Sequence, residues 1–157
     1  LSKAGAESVK ACDVQCHEGG TYVCMEGPAF STRAESNLYR QWGVDIIGMT
    51  ACPEVKLARE AELRYATLAL STDYDCWHEE EEDVTVDSVL ETLQKNTANV
   101  KRVLKHLIPR LGVMSDDPEV TSPLCDDALA HAIMTSADLI PEATKEKLAP
   151  ITGRYLS

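Results

Sequence analysis

Three short apolar runs, spaced by helix-like stretches, constrain this chain most. Residues 20–25, 44–49 and 65–71 each have strand length and each ends at a turn or a polar group. In the first, Tyr22 and Cys24 fall on one face and Val23 and Met25 on the other. The third is almost continuously apolar from Tyr65 to Leu70. Strands alternating with helices predict an α/β fold with parallel neighbours. A run as apolar as 65–70 expects cover on both faces and a strand on each side. Three strands make a thin sheet, so they read as part of a mixed central sheet flanked by helices.

Local signals set the helices between them. Glu26-Gly27-Pro28 breaks the first run. Thr32 and Glu35 then match a capping box, predicting a helix to about Gln41 that Gly43 ends. Pro53 suits the first turn of a helix running to about Leu63. Apolar residues Val86, Val89, Leu90, Leu93, Val100, Val103, Leu104, Leu107 and Ile108 recur at three- and four-residue spacing. They predict a long helix over 86–108, stopped by Pro109. Segment 113–123, rich in Asp, Pro and Ser, reads as a loop. Helices over about 124–136 and 141–148 follow it.

Charge narrows the partners. The chain has 157 residues, 44% of them hydrophobic, which suits one domain with a core. Its formal net charge of −11 argues against nucleic acid or an anionic membrane as main partner. The acidic run 79–83 reads as solvated loop. No apolar segment approaches the roughly 18 residues that span a bilayer. The start, Leu1-Ser2-Lys3, carries no secretory signal pattern. The six cysteines are scattered, and Cys24, Cys52 and Cys76 sit in or beside apolar runs, which suits free buried thiols. Cys12, Cys16 and His17 have no second pair at zinc spacing, so no metal is expected. A reducing, cytoplasmic compartment follows.

Three segments could carry chemistry. Asp73 and Asp75 follow the third run, at a strand end where ligands collect in open α/β sheets. Such a pair either caps local structure or does acid/base work on a ligand. Phe30, the only Phe, lies with Ser31 in the loop after the first run, where it either packs or stacks on a planar ligand. Gly48-Met49-Thr50 ends the second run. It is either a plain turn or a rim where a ligand approaches backbone and the Thr hydroxyl. His17 and His78 read as surface residues, and Trp42 and Trp77 as packing residues. Dinucleotide, Walker, GxSxG and HExxH motifs are absent from the sequence.

As a set these segments resemble the trimeric purine nucleoside phosphorylase family, and within it the 5′-methylthioadenosine phosphorylases. The matching residues are Glu26-Gly27-Pro28, Phe30-Ser31, Arg33-Ala34-Glu35-Ser36, Trp42-Gly43, Asp45, Ile47-Gly48-Met49-Thr50, Pro53-Glu54, Leu57-Ala58 and Thr72-Asp73-Tyr74-Asp75-Cys76-Trp77. The match runs in order over about residues 18 to 110.

The resemblance implies a pentosyltransferase of purine and methionine salvage. Phosphate, a co-substrate, displaces adenine from 5′-methylthioadenosine and leaves 5-methylthioribose 1-phosphate, with no cofactor. It implies that Asp73 neutralises N7 of the leaving base and that Asp75 accepts from the exocyclic amine. A buried pair would hold the needed proton. Phe30 would lie against the base, Met49 under the ribose, and Thr50 on phosphate or a sugar hydroxyl. Thr72, Val86 and Val89 would line the substrate pocket. The family's 6-oxopurine enzymes carry Asn at the position of Asp73 and a His near the 5′-hydroxyl, where this chain has Val86.

An apolar pocket there suits a methylthio group, since a buried unpaired hydroxyl costs about 1–3 kcal/mol. Gly48 departs from the Asn of the animal methylthioadenosine enzymes and matches the 6-oxopurine relatives. A purine nucleoside or 5′-methylthioinosine phosphorylase is therefore the alternative. The family's phosphate loop and its Arg-His phosphate ligands have no counterpart in residues 1–17. Residues 1–157 thus resemble the C-terminal portion of a single nucleoside phosphorylase domain, which leaves a non-catalytic fragment as a further alternative. A homotrimer is implied.

Overall fold

The computed structural model describes residues 1–78, 86–114 and 123–156; for residues 86–89, 123 and 124 it describes the backbone only. The acidic run 79–83 and the Asp- and Pro-rich stretch 115–122 lie outside the described residues.

The elements run in order: α1 (Ser2–Ala11), β1 (Tyr22–Cys24), α2 (Arg33–Gln41), β2 (Ile46–Gly48), α3 (Ala51–Glu60), α4 (Val86–Met114), α5 (Pro123–Asp126), a 3-10 turn (Ala137–Leu139) and α6 (Glu142–Leu156). β1 and β2 pair in parallel, with Tyr22 opposite Ile46, Val23 opposite Ile47 and Cys24 opposite Gly48. Asp45 sets this register from below. Its carboxylate accepts from the Thr21 amide at 2.7 Å, and its own amide donates to the Thr21 carbonyl at 2.9 Å.

α2 begins as expected. The Thr32 hydroxyl accepts from the Glu35 amide at 3.3 Å, and the Glu35 carboxylate accepts from the Thr32 amide at 2.7 Å. Those two bonds satisfy donors that the first turn leaves open. The Thr32 donors also hold the Glu35 carboxyl below its ordinary range. α3 takes regular geometry from Pro53 on, because Cys52 is extended at φ −108°, ψ 134°.

The core lies where α1 crosses α4. Ala4, Ser8 and Val9 are buried on α1, and Val103 and Leu107 on α4. Ala4 and Ser8 are small and share one helical face, which lets the two helices approach closely, while Gly5 lies against Leu68 of the extended segment. Sequence reasoning placed no helix in residues 1–17; spacing of small residues was the only signal.

Several expectations are corrected. The run 65–71 is extended but joins no ladder among the described residues. Ala66 and Leu68 are half-buried, while Tyr65, Thr67 and Ala69 are exposed, which is the period-two alternation of a strand. A groove of about 640 Å³, lined by Val23 and Cys24 on one side and Tyr65, Ala66 and Thr67 on another, stands where a ladder partner would be needed. The cover expected on both faces is likewise incomplete, since Leu70 is 45% exposed.

Pro109 does not stop α4, which continues to Met114. Proline removes one bond to the preceding turn. The last turn is held instead by Arg110, which pairs with Glu7 of α1 at 2.7 Å and reaches the Ser8 hydroxyl at 3.4 Å.

The helix expected over 124–136 is confined to α5. Beyond it, the amides of Ala128, Ala130 and Ala132 bond three residues back, and the Leu129 amide donates to Glu62 at 3.0 Å. Tertiary partners have taken groups that an α-helix would use internally. The helix expected over 141–148 instead runs on through Pro150 to Leu156. Its end is anchored by Arg154 on Glu62 at 2.6 Å and by the Tyr155 hydroxyl on Glu62 at 2.5 Å.

All six cysteines are free, but Cys76 is exposed rather than buried; the other five are half-buried.

Candidate active site

β1, β2 and the extended segment 65–71 each run into one of the segments singled out from sequence. After β1 the chain turns at Gly27, whose φ of +75° favours glycine. A Cβ at this position would also overlap the Met49 methyl group. Met49 therefore lies on the β1 loop, half-buried, directly after β2. Thr50 stands at the N-cap of α3 but makes no side-chain capping bond, so its exposed hydroxyl is not committed to the helix.

Phe30 is 83% exposed. The packing alternative does not hold within the described chain: the ring stands open at the loop tip. The next residue, Ser31, joins this loop to the third segment. Its hydroxyl donates to Asp75 Oδ2 at 3.4 Å, and its carbonyl accepts from the Cys76 thiol at 3.6 Å. Asp75 is half-buried, and its other oxygen accepts the Cys76 amide at 2.9 Å. Thr72 donates to Asp73 Oδ1 at 3.4 Å.

Asp73 is exposed. The burial expected of the carboxylate pair is thus absent at Asp73 in this chain, because nothing in the described residues covers that face of the loop. The two carboxylates also differ in their bonding. Asp75 is tied across to Ser31, whereas Asp73 is held by its neighbour in sequence.

Val86 and Val89 fall on the first turn of α4 by backbone. Their side chains lie outside the described residues. Ser71, just ahead of Thr72 and Asp73, is gripped by α4: Asn96 Nδ2 donates to its carbonyl at 2.8 Å. Sequence reasoning missed this residue. The signal was there, since Asn96 interrupts the three- and four-residue apolar spacing between Leu93 and Val100.

The loop closes on an aromatic cluster. Tyr74 stacks on His78 at 4.6 Å and 19°, and Trp77 meets His78 edge-on at 5.0 Å. The Arg40 guanidinium of α2 lies 3.6 Å over the Trp77 ring. His78 is half-buried rather than a surface residue, and its Nδ1 is buried without a hydrogen-bond partner. Trp42, read as a packing residue, is 65% exposed.

Gly48 has a local reason. A Cβ there would overlap the hydroxyl of Tyr22, which reaches diagonally across from β1. Among the described residues no three His, Cys, Asp or Glu side chains gather as a metal site would need. No helix among them is long and apolar enough to cross a membrane.

What these loops assemble is a rim of hydroxyls, carboxylates and one open aromatic ring at the carboxyl ends of parallel strands. Residues 1–109 match the phosphorylase superfamily, and the chain belongs to that family. Among its relatives, the S-methyl-5′-thioadenosine phosphorylase of Geobacter sulfurreducens is 53% identical over 89% of this chain and 47% of its own length. The S-methyl-5′-thioadenosine phosphorylase of Gloeobacter violaceus is 48% identical over 99% of this chain and 52% of its own length.

A crystal structure of a methylthioadenosine phosphorylase from an antarctic soil metagenomic library superposes with a TM-score of 0.83 at 43% identity, covering 95% of this chain and 51% of that one. The methylthioadenosine phosphorylase of Schistosoma mansoni in complex with adenine superposes at 0.63 with 36% identity, over 71% of this chain and 44% of that one. The chain thus spans about half the length of the relatives it matches. The nucleoside phosphorylase-like α/β expectation accords with these neighbours.

Proposed function

We propose that this chain forms the base-binding and part of the sugar-binding wall of a 5′-methylthioadenosine phosphorylase. In the whole protein, phosphate displaces adenine and leaves 5-methylthioribose 1-phosphate. The observation that carries this reading is the bond from Ser31 to Asp75, which joins the Phe30 loop to the Asp73 loop. It supports a reading in which an aromatic face and a pair of carboxylates share one opening, as a 6-aminopurine requires. The names of the relatives support the same substrate.

The chemistry follows from the leaving group. As the glycosidic bond loosens, the sugar becomes cationic and the base gathers negative charge at N7. Asp73, as an acid or through a water, delivers a proton there. Asp75 accepts from the exocyclic amine, a donor that 6-oxopurines lack. Phe30 lies against the base and Met49 under the ribose. Thr50 binds phosphate or a sugar hydroxyl, and Thr72 orients Asp73. Val86 and Val89 give the methylthio group an apolar wall.

In this reading residues 1–157 are the C-terminal portion of one nucleoside phosphorylase domain, and the rest of the phosphate site lies elsewhere in the protein. Further parts of the proposal are a homotrimer, inorganic phosphate as co-substrate without a cofactor, and a cytoplasmic location. The acidic net charge supports a small-molecule substrate over nucleic acid or membrane.

The deciding assay is phosphorolysis by the full-length protein. Methylthioadenosine should be cleaved faster than inosine; the reverse order would overturn the reading in favour of a purine nucleoside or 5′-methylthioinosine phosphorylase. Gly48 is what favours that second reading. Its overlap with Tyr22 supplies a packing reason for glycine that is independent of the base. The isolated 157-residue chain should bind adenine weakly and fail to turn over; phosphate-dependent turnover by it alone would remove the claim that the phosphate site is incomplete.

A further inference from the structure

The loop bearing Asp73 and Asp75 is strapped to α2 at two points. One is polar, where Ser31 holds Asp75 and takes the Cys76 thiol. The other is the Arg40 guanidinium, 3.6 Å over Trp77. The two points lie at opposite ends of one helix, since Ser31 precedes the N-cap and Arg40 sits in the last turn. Ser36, one turn before Arg40 on the same face, is 1% exposed, while Arg40 itself is exposed at the edge of that face.

We propose that Arg40 and Trp77 are positioning residues that set base specificity by clamping this loop along α2. The inference rests on the reading above, in which Asp73 and Asp75 meet the purine. Neither residue needs to touch substrate. An arginine suits the role because its flat cation stacks on an indole face and keeps its charge at any working pH.

The clamp lies two residues beyond Asp75 and four beyond Asp73, and the Tyr74–His78 stack closes the intervening turn on itself. Loop and cluster are thus held from the α2 side at both ends, by Arg40 on Trp77 and by Ser31 on Asp75 and Cys76. Loosening the Arg40 end changes where both carboxylates stand relative to the base. The contacts of the clamp run to Tyr74 and His78 and leave Thr50 aside.

The test uses the full-length protein with Arg40→Met, Arg40→Lys and Trp77→Leu. For Arg40→Met the KM for methylthioadenosine should rise about tenfold, while the KM for phosphate stays within about twofold. The preference for methylthioadenosine over methylthioinosine should fall by a similar factor, and Arg40→Lys should recover part of both losses. The fluorescence difference between full-length protein with and without Trp77→Leu isolates Trp77; it should change in Arg40→Met and reports the stack independently of turnover.

An unchanged nucleoside KM and base preference in Arg40→Met would overturn the proposal. So would equal rises in both KM values with a Tm lowered by more than about 3 °C, which is the signature of a merely structural role. Wild-type protein that cleaves no methylthioadenosine fails the functional reading itself, a result distinct from either of these.

Discussion

The hydroxyl of Tyr22 occupies the space that a Cβ at position 48 would need. Tyr22 starts β1 and Gly48 ends β2, so the contact runs diagonally across a parallel pair and locks its register at the site end. Gly48→Ala should destabilise the protein by about 1–3 kcal/mol, because backbone or the Tyr22 ring must shift. Tyr22→Phe, which removes the overlapping oxygen, should recover part of that loss. Urea melts of the four species of a double-mutant cycle measure the coupling; strict additivity would show that the two residues do not interact.

Asp73 is the group assigned to the leaving base. Asp73→Ala should lower kcat by about a hundredfold or more. Asp73→Asn should lower it less for 6-oxopurines than for methylthioadenosine, because an amide can both accept from N7–H and donate. Steady-state rates with the two nucleosides decide it, and an unchanged kcat in Asp73→Ala removes the role.

Asn96 holds the Ser71 carbonyl from α4. Asn96→Leu fills the apolar stripe of the helix but abandons that carbonyl, at a net cost of about 1 kcal/mol. The expected result is a modest loss of stability with a raised nucleoside KM. A variant as stable as wild type, with unaltered KM, would show that the bond contributes nothing.

Glu62 gives stability a pH dependence. Its desolvation pushes the carboxyl up, but the bonds from Tyr155, the Leu129 amide and Arg154 together outweigh that and hold it below the ordinary glutamate range. A lowered carboxylate contributes its stability above the ordinary pKa and loses it as pH falls through the folded value. The contribution is therefore present at neutral pH and lost in acid. Thermal melts from neutral pH into the acid range should show Tm falling, and Glu62→Gln should start lower and fall less steeply. Parallel curves for the two proteins would remove Glu62 from the account.

Local chemistry made α2 legible to the residue, because a capping box and its hydrophobic surroundings act within a few positions. The runs 20–25 and 44–49 locate β1 and β2 but overstate them, since the ladder covers only Tyr22–Cys24 and Ile46–Gly48. The loops of Phe30 and Met49 could be placed at strand ends for that reason, the Asp73 loop follows an extended segment without a ladder, and the family resemblance joined the three. The end of α4 was misjudged because Pro109 is a local stop signal overruled by a distant partner, Glu7, and α6 runs past 148 where Glu62 anchors its last turn. The short α5 has the same cause, with Glu62 drawing the Leu129 amide out of any helix.

The sequence alone determined the family and the loop segments that carry the candidate site residues. Tertiary structure decided which carboxylate is tethered and which is free, that Gly48 answers to Tyr22, and that Asn96, Arg40 and Trp77 hold the loop. Periodicity and caps report on neighbours a few residues apart. A bond such as Ser31 to Asp75 spans 44 residues, and only folding brings its two ends within reach.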